Sequence, residues 1–166
     1  MIWRLRLGHW RFTFSWAKVS DITGVNSLLP DGNHILMWDF DNVPYDKVSL
    51  SLRWIQKTYE LPEIHILNTG KLHHYIAYCF KKVSWRLCKE IIASTEHIDE
   101  QFFKYGVYRE KFTLRVSSKD GRTPRAVALL RSPIAADVEL KGLMSWVKYE
   151  TLSDNSPEGK IEVGRA

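Results

Sequence analysis

The feature that most constrains the fold of this chain is the segment from 34 to 44, which reads HILMWDFDNVP. Ile35 to Trp38 are four consecutive apolar residues, which is typical of a buried strand. Asp39 and Asp41 follow directly, and because side chains alternate along a strand, both carboxylates point to the same side. Buried charges are costly unless they meet cations, and two carboxylates on one face suit a hard divalent cation such as Mg²⁺ or Mn²⁺.

Composition is that of an ordinary globular protein, with 45% hydrophobic and 26% charged residues among 166. The net charge of +5 favours a polyanionic partner no more than it favours a basic but unspecialised surface. We expect Cys79 and Cys88 to be buried free thiols, because they form no CxxC motif and lie in apolar segments. No apolar run is long enough to span a bilayer, and residues 1–6 lack a signal-peptide core, so we expect a cytoplasmic protein without a membrane partner.

Periodicity and turn residues predict an α+β chain with one sheet of six or seven strands. Segments 2–7 and 9–16 predict a hairpin or one long bent strand, and 17–33 predicts a loop. Further strands are predicted at 34–41, 63–68, 72–80, 111–117 and 125–131, with a polar turn at 118–123. A helix is predicted at 47–60, with Asp46 as its N-cap, and a second helix begins after an N-cap at Ser84. Residues 100–108 are predicted as a short helix or an irregular segment, and 140–149 as a last helix. We expect one domain over residues 1–152 and a polar, frayed tail at 153–166.

Four short segments carry residues that are suited to chemistry, and they follow one another in a fixed order. They are Asp39-x-Asp41, the turn Thr69-Gly70-Lys71-Leu72-His73-His74, the pair Ile98-Asp99, and the stretch 114–119, which reads LRVSSK. Three acids could bind two metal ions, while a histidine and several cations could hold a polyphosphate. Phosphoryl transfer needs both sets of groups.

Each of these residues also has a structural interpretation. Asp99 could simply cap a helix, and Lys71 and Lys119 could be surface residues of polar turns. Arg115 lies between Leu114 and Val116 in a predicted strand, so it needs a partner, and a structural ion pair would serve as well as a phosphate.

In this order the four segments resemble the archaeo-eukaryotic primase superfamily, which includes replicative primases, primase-polymerases and the polymerase domain of bacterial DNA ligase D. HILMWDFDN resembles the first motif of that family, an apolar strand that ends in acid-x-acid. NTGKLHHYIAY is similar to the second motif, Ile98-Asp99 to the third, and LRVSSK to a later strand with a basic residue. The matching segments extend from Asp39 to Lys119, about half the chain.

The resemblance implies an RRM-like mixed or antiparallel sheet packed with helices, together with a small N-terminal strand unit. It also implies a two-metal nucleotidyltransferase of the primase or DNA-directed polymerase class, acting in the replication of a mobile element. Asp39, Asp41 and Asp99 would bind two Mg²⁺ or Mn²⁺ ions. Phosphate contacts would come from the second motif and the later basic strand, namely Thr69, Gly70, Lys71, His73 or His74, Arg115 and Lys119. DNA template and primer and nucleoside triphosphates would be the partners, RNA is an alternative strand, and a helicase or accessory domain could act in trans.

Two histidines compete for the role of the motif histidine. Counting from Thr69-Gly70 favours His74, whereas matching the pattern Leu-His-x-Tyr favours His73. The two face opposite sides of the predicted strand, so only one can lie in the site. We favour His74.

Two other functions remain open from the sequence. WDFDNVP also resembles the opening strand of NYN/PIN-type metal-dependent ribonucleases, which would require further acids at the carboxyl ends of parallel strands. Asp137 is a loose candidate for such an acid. The third possibility is a non-catalytic primase-like domain that binds nucleic acid as a replication protein.

Overall fold

The structure is a computed structural model that describes residues 2–15, 19–139 and 145–152, with side chains described for 5–14, 19–139 and 145–149. The strands are β1 (Ile2–Leu7), β2 (Trp10–Ser15), β3 (Val19–Asn26), β4 (His34–Phe40), β5 (Ile64–Asn68), β6 (Tyr75–Val83), β7 (Thr113–Arg115), β8 (Arg125–Leu130) and β9 (Trp146–Leu152). The helices are α1 (Tyr45–Thr58), α2 (Trp85–Ala93) and α3 (Glu100–Tyr108).

The described strands form three sheets, and all their pairings are antiparallel. β1 pairs with β2, β3 lies between β7 and β9, and the largest sheet has the order β4-β6-β5-β8. The chain is therefore an α+β protein, as the sequence predicts. The prediction of one sheet with six or seven strands is wrong, because the strands divide among three sheets.

The largest sheet contains a split β-α-β unit. β4 and β5 both run antiparallel to β6, which lies between them, so the two strands joined by α1 point in the same direction without touching. Helix α1 contributes buried apolar residues at the expected spacing, Val48, Leu52 and Ile55. The amphipathic period of 47–60 therefore predicted this helix to within two residues.

β4 is the edge strand of this sheet, yet every residue in it except Asp39 is buried. Its free edge is covered by other parts of the chain: Ile35 N–H donates to the Ser27 carbonyl at 2.9 Å, and the Asp39 carbonyl accepts from Asp99 N–H at 2.9 Å. Backbone groups of a buried edge need such partners, since each one left unpaired would destabilise the fold. The cover also fixes the segment around Asp99 beside the end of β4.

Two predicted segments are corrected by the structure. The sequence predicts a loop at 17–33, but β3 occupies Val19–Asn26 and is the central strand of its sheet. The helix predicted over 140–149 is also wrong where the structure describes it, because Trp146–Leu152 forms β9. Residues 140–144 and the predicted tail at 153–166 lie outside the described residues.

Smaller predictions have mixed outcomes. Asp46 is not the N-cap of α1: Pro44 holds that position, and Asp46 lies in the first turn, where its charge favours the helix dipole. Ser84 does cap α2, because its hydroxyl accepts from Leu87 N–H. The strand predicted at 72–80 is displaced by three residues to β6, and the strand predicted at 111–117 is shortened to β7. Cys79 and Cys88 are buried free thiols as predicted, and burial raises the pKa of each to about 12.

The β1–β2 hairpin confirms the first of the two predictions for residues 2–16. Its register places Leu5 opposite Phe12 and Leu7 opposite Trp10, so these apolar side chains share one face, and all four are exposed. None of the helices in the described residues is both long and apolar enough to cross a membrane.

Gly106 in α3 gives a first testable prediction about stability. A methyl group at this position would lie 2.2 Å from two ring carbons of the fully buried Phe112. We therefore expect Gly106→Ala to lower the free energy of unfolding by about 2 kcal/mol, although alanine normally favours a helix. Urea unfolding measures the change, and the same substitution in a Phe112→Leu background should destabilise less. Equal losses in both backgrounds would contradict the clash.

Candidate functional site

A cavity of about 260 Å³ lies where the ends of β4 and β6 face the three-stranded sheet. Seven residues that the sequence singled out line it: Asp39, Asp41, Thr69, Lys71, His74, Arg115 and Lys119. Four residues that were not singled out complete the wall: Ile76, Thr113, Leu114 and Tyr149. Residues that are up to 110 positions apart along the sequence, Asp39 and Tyr149, therefore meet in one place.

The two carboxylates of the first segment lie on the same side of the chain, as strand alternation predicts. Asp39 is the penultimate residue of β4 and is partly buried, whereas Asp41 follows the strand and its side chain is 48% exposed. Burial, followed by the nearby charges of Asp41 and Asp99, raises the pKa of Asp39 from 3.8 to about 7. An ionised carboxylate at this position is thus disfavoured unless a cation approaches it.

His74 contacts the acidic pair directly. Its Nδ1 lies 2.6 Å from Oδ1 of Asp41, and as the carboxylate can only accept, we assign the proton of this hydrogen bond to Nδ1. The backbone reinforces the contact, because Val43 N–H donates to the His73 carbonyl at 3.0 Å. The turn before β6 is thereby tied to the end of β4.

The turn at 68–74 owes its shape to two residues. Asn68 accepts from Gly70 N–H at 2.8 Å and donates to the Lys71 carbonyl at 3.1 Å, so its side chain closes the turn. Gly70 has a φ of +89°, and a methyl group there would lie 2.8 Å from Cβ of Arg122. Glycine is therefore required by both conformation and space. This geometry directs Lys71 to the cavity, while Gly70 itself does not line it.

Arg115 joins the turn to the loop that follows β7. Its guanidinium donates to the carbonyls of Thr69 and Arg122, each at 2.8 Å, and to that of Ser117 at 3.2 Å. Three carbonyl partners explain how a cation can be accommodated in a partly buried strand. Arg115 is therefore at least a structural residue, and it also borders the cavity.

Lys119 is held by the loop that Arg115 organises. Lys119 and Arg122 exchange two backbone hydrogen bonds of 3.0 Å, which form a tight turn. The start of the loop is fixed to β3, since Val116 and Ser117 N–H both donate to the Thr23 carbonyl and Thr23 N–H donates to Ser117 Oγ. Lys119 reaches the cavity from this turn.

The remaining two predicted residues lie outside the cavity lining. Asp99 is adjacent to Asp39 through the backbone hydrogen bond described above, but its carboxylate caps α3 by accepting from Phe102 N–H. His73 is exposed and has a φ of +59°, as a turn residue would. Of the two histidines, the structure thus places His74 in the cavity.

Asp39 and Asp41 form a donor pair that fits a hard divalent cation, because both offer carboxylate oxygens to the cavity. The raised pKa of Asp39 shows that its negative charge is unfavourable there, and a bound cation would offset that cost. The three-acid set for two ions stays a prediction. In residues 5–14, 19–139 and 145–149, no three His, Cys, Asp or Glu side chains are grouped closely enough to hold one ion, and Asp99 has its own role as a helix cap.

Comparisons with protein-family models, with curated proteins and with solved structures gave no match for this chain.

Proposed function

We propose that this chain is a metal-dependent nucleotidyltransferase that adds nucleotides to a nucleic-acid strand on a template, with an RRM-like core of the primase-polymerase kind. One observation carries the proposal: a single cavity collects two carboxylates, a carboxylate-bound histidine and three cationic side chains from three separate segments. DNA template and primer and nucleoside triphosphates would be its partners. The split β-α-β unit formed by β4, α1 and β5 is compatible with such a core.

The chemistry divides between the two sides of the cavity. Lys71, Lys119 and Arg115 would bind the triphosphate, because phosphate oxygens accept readily from ammonium and guanidinium groups. Asp39 and Asp41 would hold the divalent cation, which when bound neutralises phosphate charge and aligns the reacting oxygens. His74 donates to Asp41 through Nδ1, and its Nε2 would donate to a phosphate oxygen in the imidazolium form, in which both ring nitrogens carry a proton. Asp99 remains the proposed third acid for a second ion.

The ribonuclease alternative has less structural support. It calls for acids at the carboxyl ends of parallel strands, whereas neighbouring strands in the described part of the chain pair antiparallel. Asp137, its loose extra candidate, instead accepts from Lys82 N–H at 2.9 Å and does not line the cavity. A non-catalytic nucleic-acid-binding protein would not need an acid at the position of Asp39, where burial and the nearby acids make its negative charge unfavourable.

Primer extension tests the proposal. With a labelled primer on a single-stranded template, Mn²⁺ or Mg²⁺, and either deoxynucleotides or ribonucleotides, we expect the primer to lengthen one nucleotide at a time. Asp41→Asn should lower the rate about 100-fold or more, because it removes a cation ligand and the acceptor of His74. Asp46→Asn is the matched control, since Asp46 is exposed in the first turn of α1 and should keep nearly full activity.

Three results would contradict the proposal. Metal-dependent shortening of single-stranded RNA without any extension would favour the nuclease. A gel shift of DNA that needs no metal, again without extension, would favour a binding protein. Equal rates for Asp41→Asn and Asp46→Asn would show that any extension does not depend on this cavity.

A further inference from the structure

Tyr149 forms an aromatic wall of the cavity and has no part in the chemistry described above. The residue is 36% exposed, and it lines the cavity together with Asp39 and Arg115. Burial is the main cause that raises the pKa of its phenol, so the ring stays neutral at physiological pH. The cavity thus offers a flat, uncharged surface beside its charged groups.

Gly24 in β3 determines where this ring lies. Gly24 pairs with Arg115 on one side and with Val147 on the other, so alternation places the side chains of Arg115 and Tyr149 on the same face of the three-stranded sheet. A methyl group at Gly24 would lie 3.0 Å from Cε1 of Tyr149 and 2.7 Å from the Leu114 carbonyl oxygen. The ring therefore packs over a residue without a side chain, next to the guanidinium.

The arrangement of charge and apolar surface narrows the class of ligand. Lys71, Lys119 and Arg115 favour a polyanion, whereas the ring of Tyr149 favours a planar apolar group. A volume of about 260 Å³ is small for a whole nucleotide, since ligand pockets usually measure about 300–1,000 Å³. Phosphates would fill the charged interior, and a base would remain at the rim, where Tyr149 is partly exposed.

We propose that Tyr149 stacks on the nucleobase of the bound nucleoside triphosphate, while the phosphates contact the cationic side of the cavity. This inference rests on the proposed function, from which it takes its ligand. Aromatic stacking tolerates every base, so Tyr149 adds a similar affinity for all four nucleotides instead of selecting among them. Its contribution is absent when the ligand has phosphates but no base.

Titration calorimetry with two ligands separates the two contributions. In Mn²⁺, we expect Tyr149→Leu to weaken dATP and dCTP binding about tenfold, because removing a stacking ring usually has an effect of this size. Binding of inorganic tripolyphosphate should change by less than about twofold, and Tyr149→Phe should keep the wild-type affinity for all three ligands, since the ring remains. Tyr108→Leu, which changes a side chain that is 85% exposed on α3, is the control.

This experiment gives different results if the stacking role of Tyr149 is wrong and if the proposed function is wrong. If the wild type binds dATP no better than tripolyphosphate and Tyr149→Leu changes neither, the stacking role is overturned while the phosphate site stands. If the wild type binds neither ligand, the proposed function fails and the stacking role fails with it. Should Tyr149→Leu not fold, Tyr149→Trp replaces it: the larger ring should tighten dATP binding without affecting tripolyphosphate, and unchanged dATP binding would refute stacking.

Discussion

We expect the Asp39→Asn protein to lose nucleotide addition and, above pH 7, to be more stable than the wild type. Activity should fall about 100-fold or more, because an amide cannot replace a carboxylate as ligand to a hard cation. Stability should rise because the wild-type carboxylate is partly buried near Asp41 and Asp99, and both surroundings disfavour its charge. A residue whose loss stabilises the fold and abolishes activity is one retained for function.

The pH dependence of this effect follows from the two pKa values. The carboxyl of Asp39 ionises near 3.8 in the unfolded chain and near 7 in the folded one. Between these values the folded state holds a proton that the unfolded state has lost, so the free energy of unfolding decreases as pH rises from about 4 to about 7. Above that range the loss is complete. At pH 8 we expect a gain of about 2 kcal/mol from Asp39→Asn, less than the full shift implies, because the side chain borders an open cavity.

Urea unfolding in EDTA, at several pH values from about 4.5 to 8, measures the difference between wild type and variant. The difference should be smallest at the lowest pH and should grow toward pH 7. Asp46→Asn, again the control, should show no such growth. Excess Mn²⁺ at pH 8 should stabilise the wild type more than Asp39→Asn, since only the wild type has both carboxylates. A difference that stays constant with pH would show that Asp39 ionises normally in the folded protein.

The parts of the fold that the sequence predicts correctly are those whose signals are local. β4 is indicated by four apolar residues in a row, α1 by its helical period, and α2 by the serine that caps it. Each of these signals lies within a dozen residues and reflects burial or a nearby hydrogen bond. These three elements can therefore be predicted from nearby residues alone, without knowing the tertiary structure.

β3 and β9 escape prediction because they depend on distant partners. The segment of β3 contains Asp21, Gly24 and Asn26, which usually mark loops, yet it is stabilised by pairing with β7 and β9, each more than 80 residues away. Gly24 weakens the intrinsic strand preference, but the close contact with Tyr149 and Leu114 requires it. Residues around β9 carry a helix-like apolar period, and tertiary pairing overrides it.

The candidate site shows the same division. Asp39, Asp41, His74 and Lys119 lie in segments with recognisable chemistry, and the sequence places them in one site before any geometry is known. Tyr149 has no such signal, because it belongs to a segment predicted as a helix and reaches the cavity only through the pairing of β9. Asp99 combines the two kinds of signal: its local context correctly indicates a helix cap, whereas the metal role that the motif order adds stays a prediction.

Arg115 should be the most sensitive position for stability among the predicted phosphate-binding residues. We expect Arg115→Met to lower the free energy of unfolding by about 3 kcal/mol, because the carbonyls of Thr69, Ser117 and Arg122 would all lose a charged donor. The substitution keeps an unbranched apolar side chain about as long as the methylene part of arginine and removes the guanidinium. Urea unfolding measures the loss, and Arg125→Met, at an exposed position at the start of β8, is the control.

Arg115→Lys distinguishes a structural role from a purely ionic one. A lysine keeps the charge, but its single ammonium group cannot reproduce the guanidinium geometry that spans carbonyls on two separate turns. We therefore expect it to destabilise the protein by about 2 kcal/mol and to weaken tripolyphosphate binding, because Lys71 and Lys119 lie in the turns that Arg115 joins. If Arg115 acted only as a point charge toward phosphate, Arg115→Lys would retain both stability and binding while Arg115→Met lost binding alone. The two variants together thus show whether Arg115 positions the turns that carry Lys71 and Lys119, or contributes only its positive charge to phosphate binding.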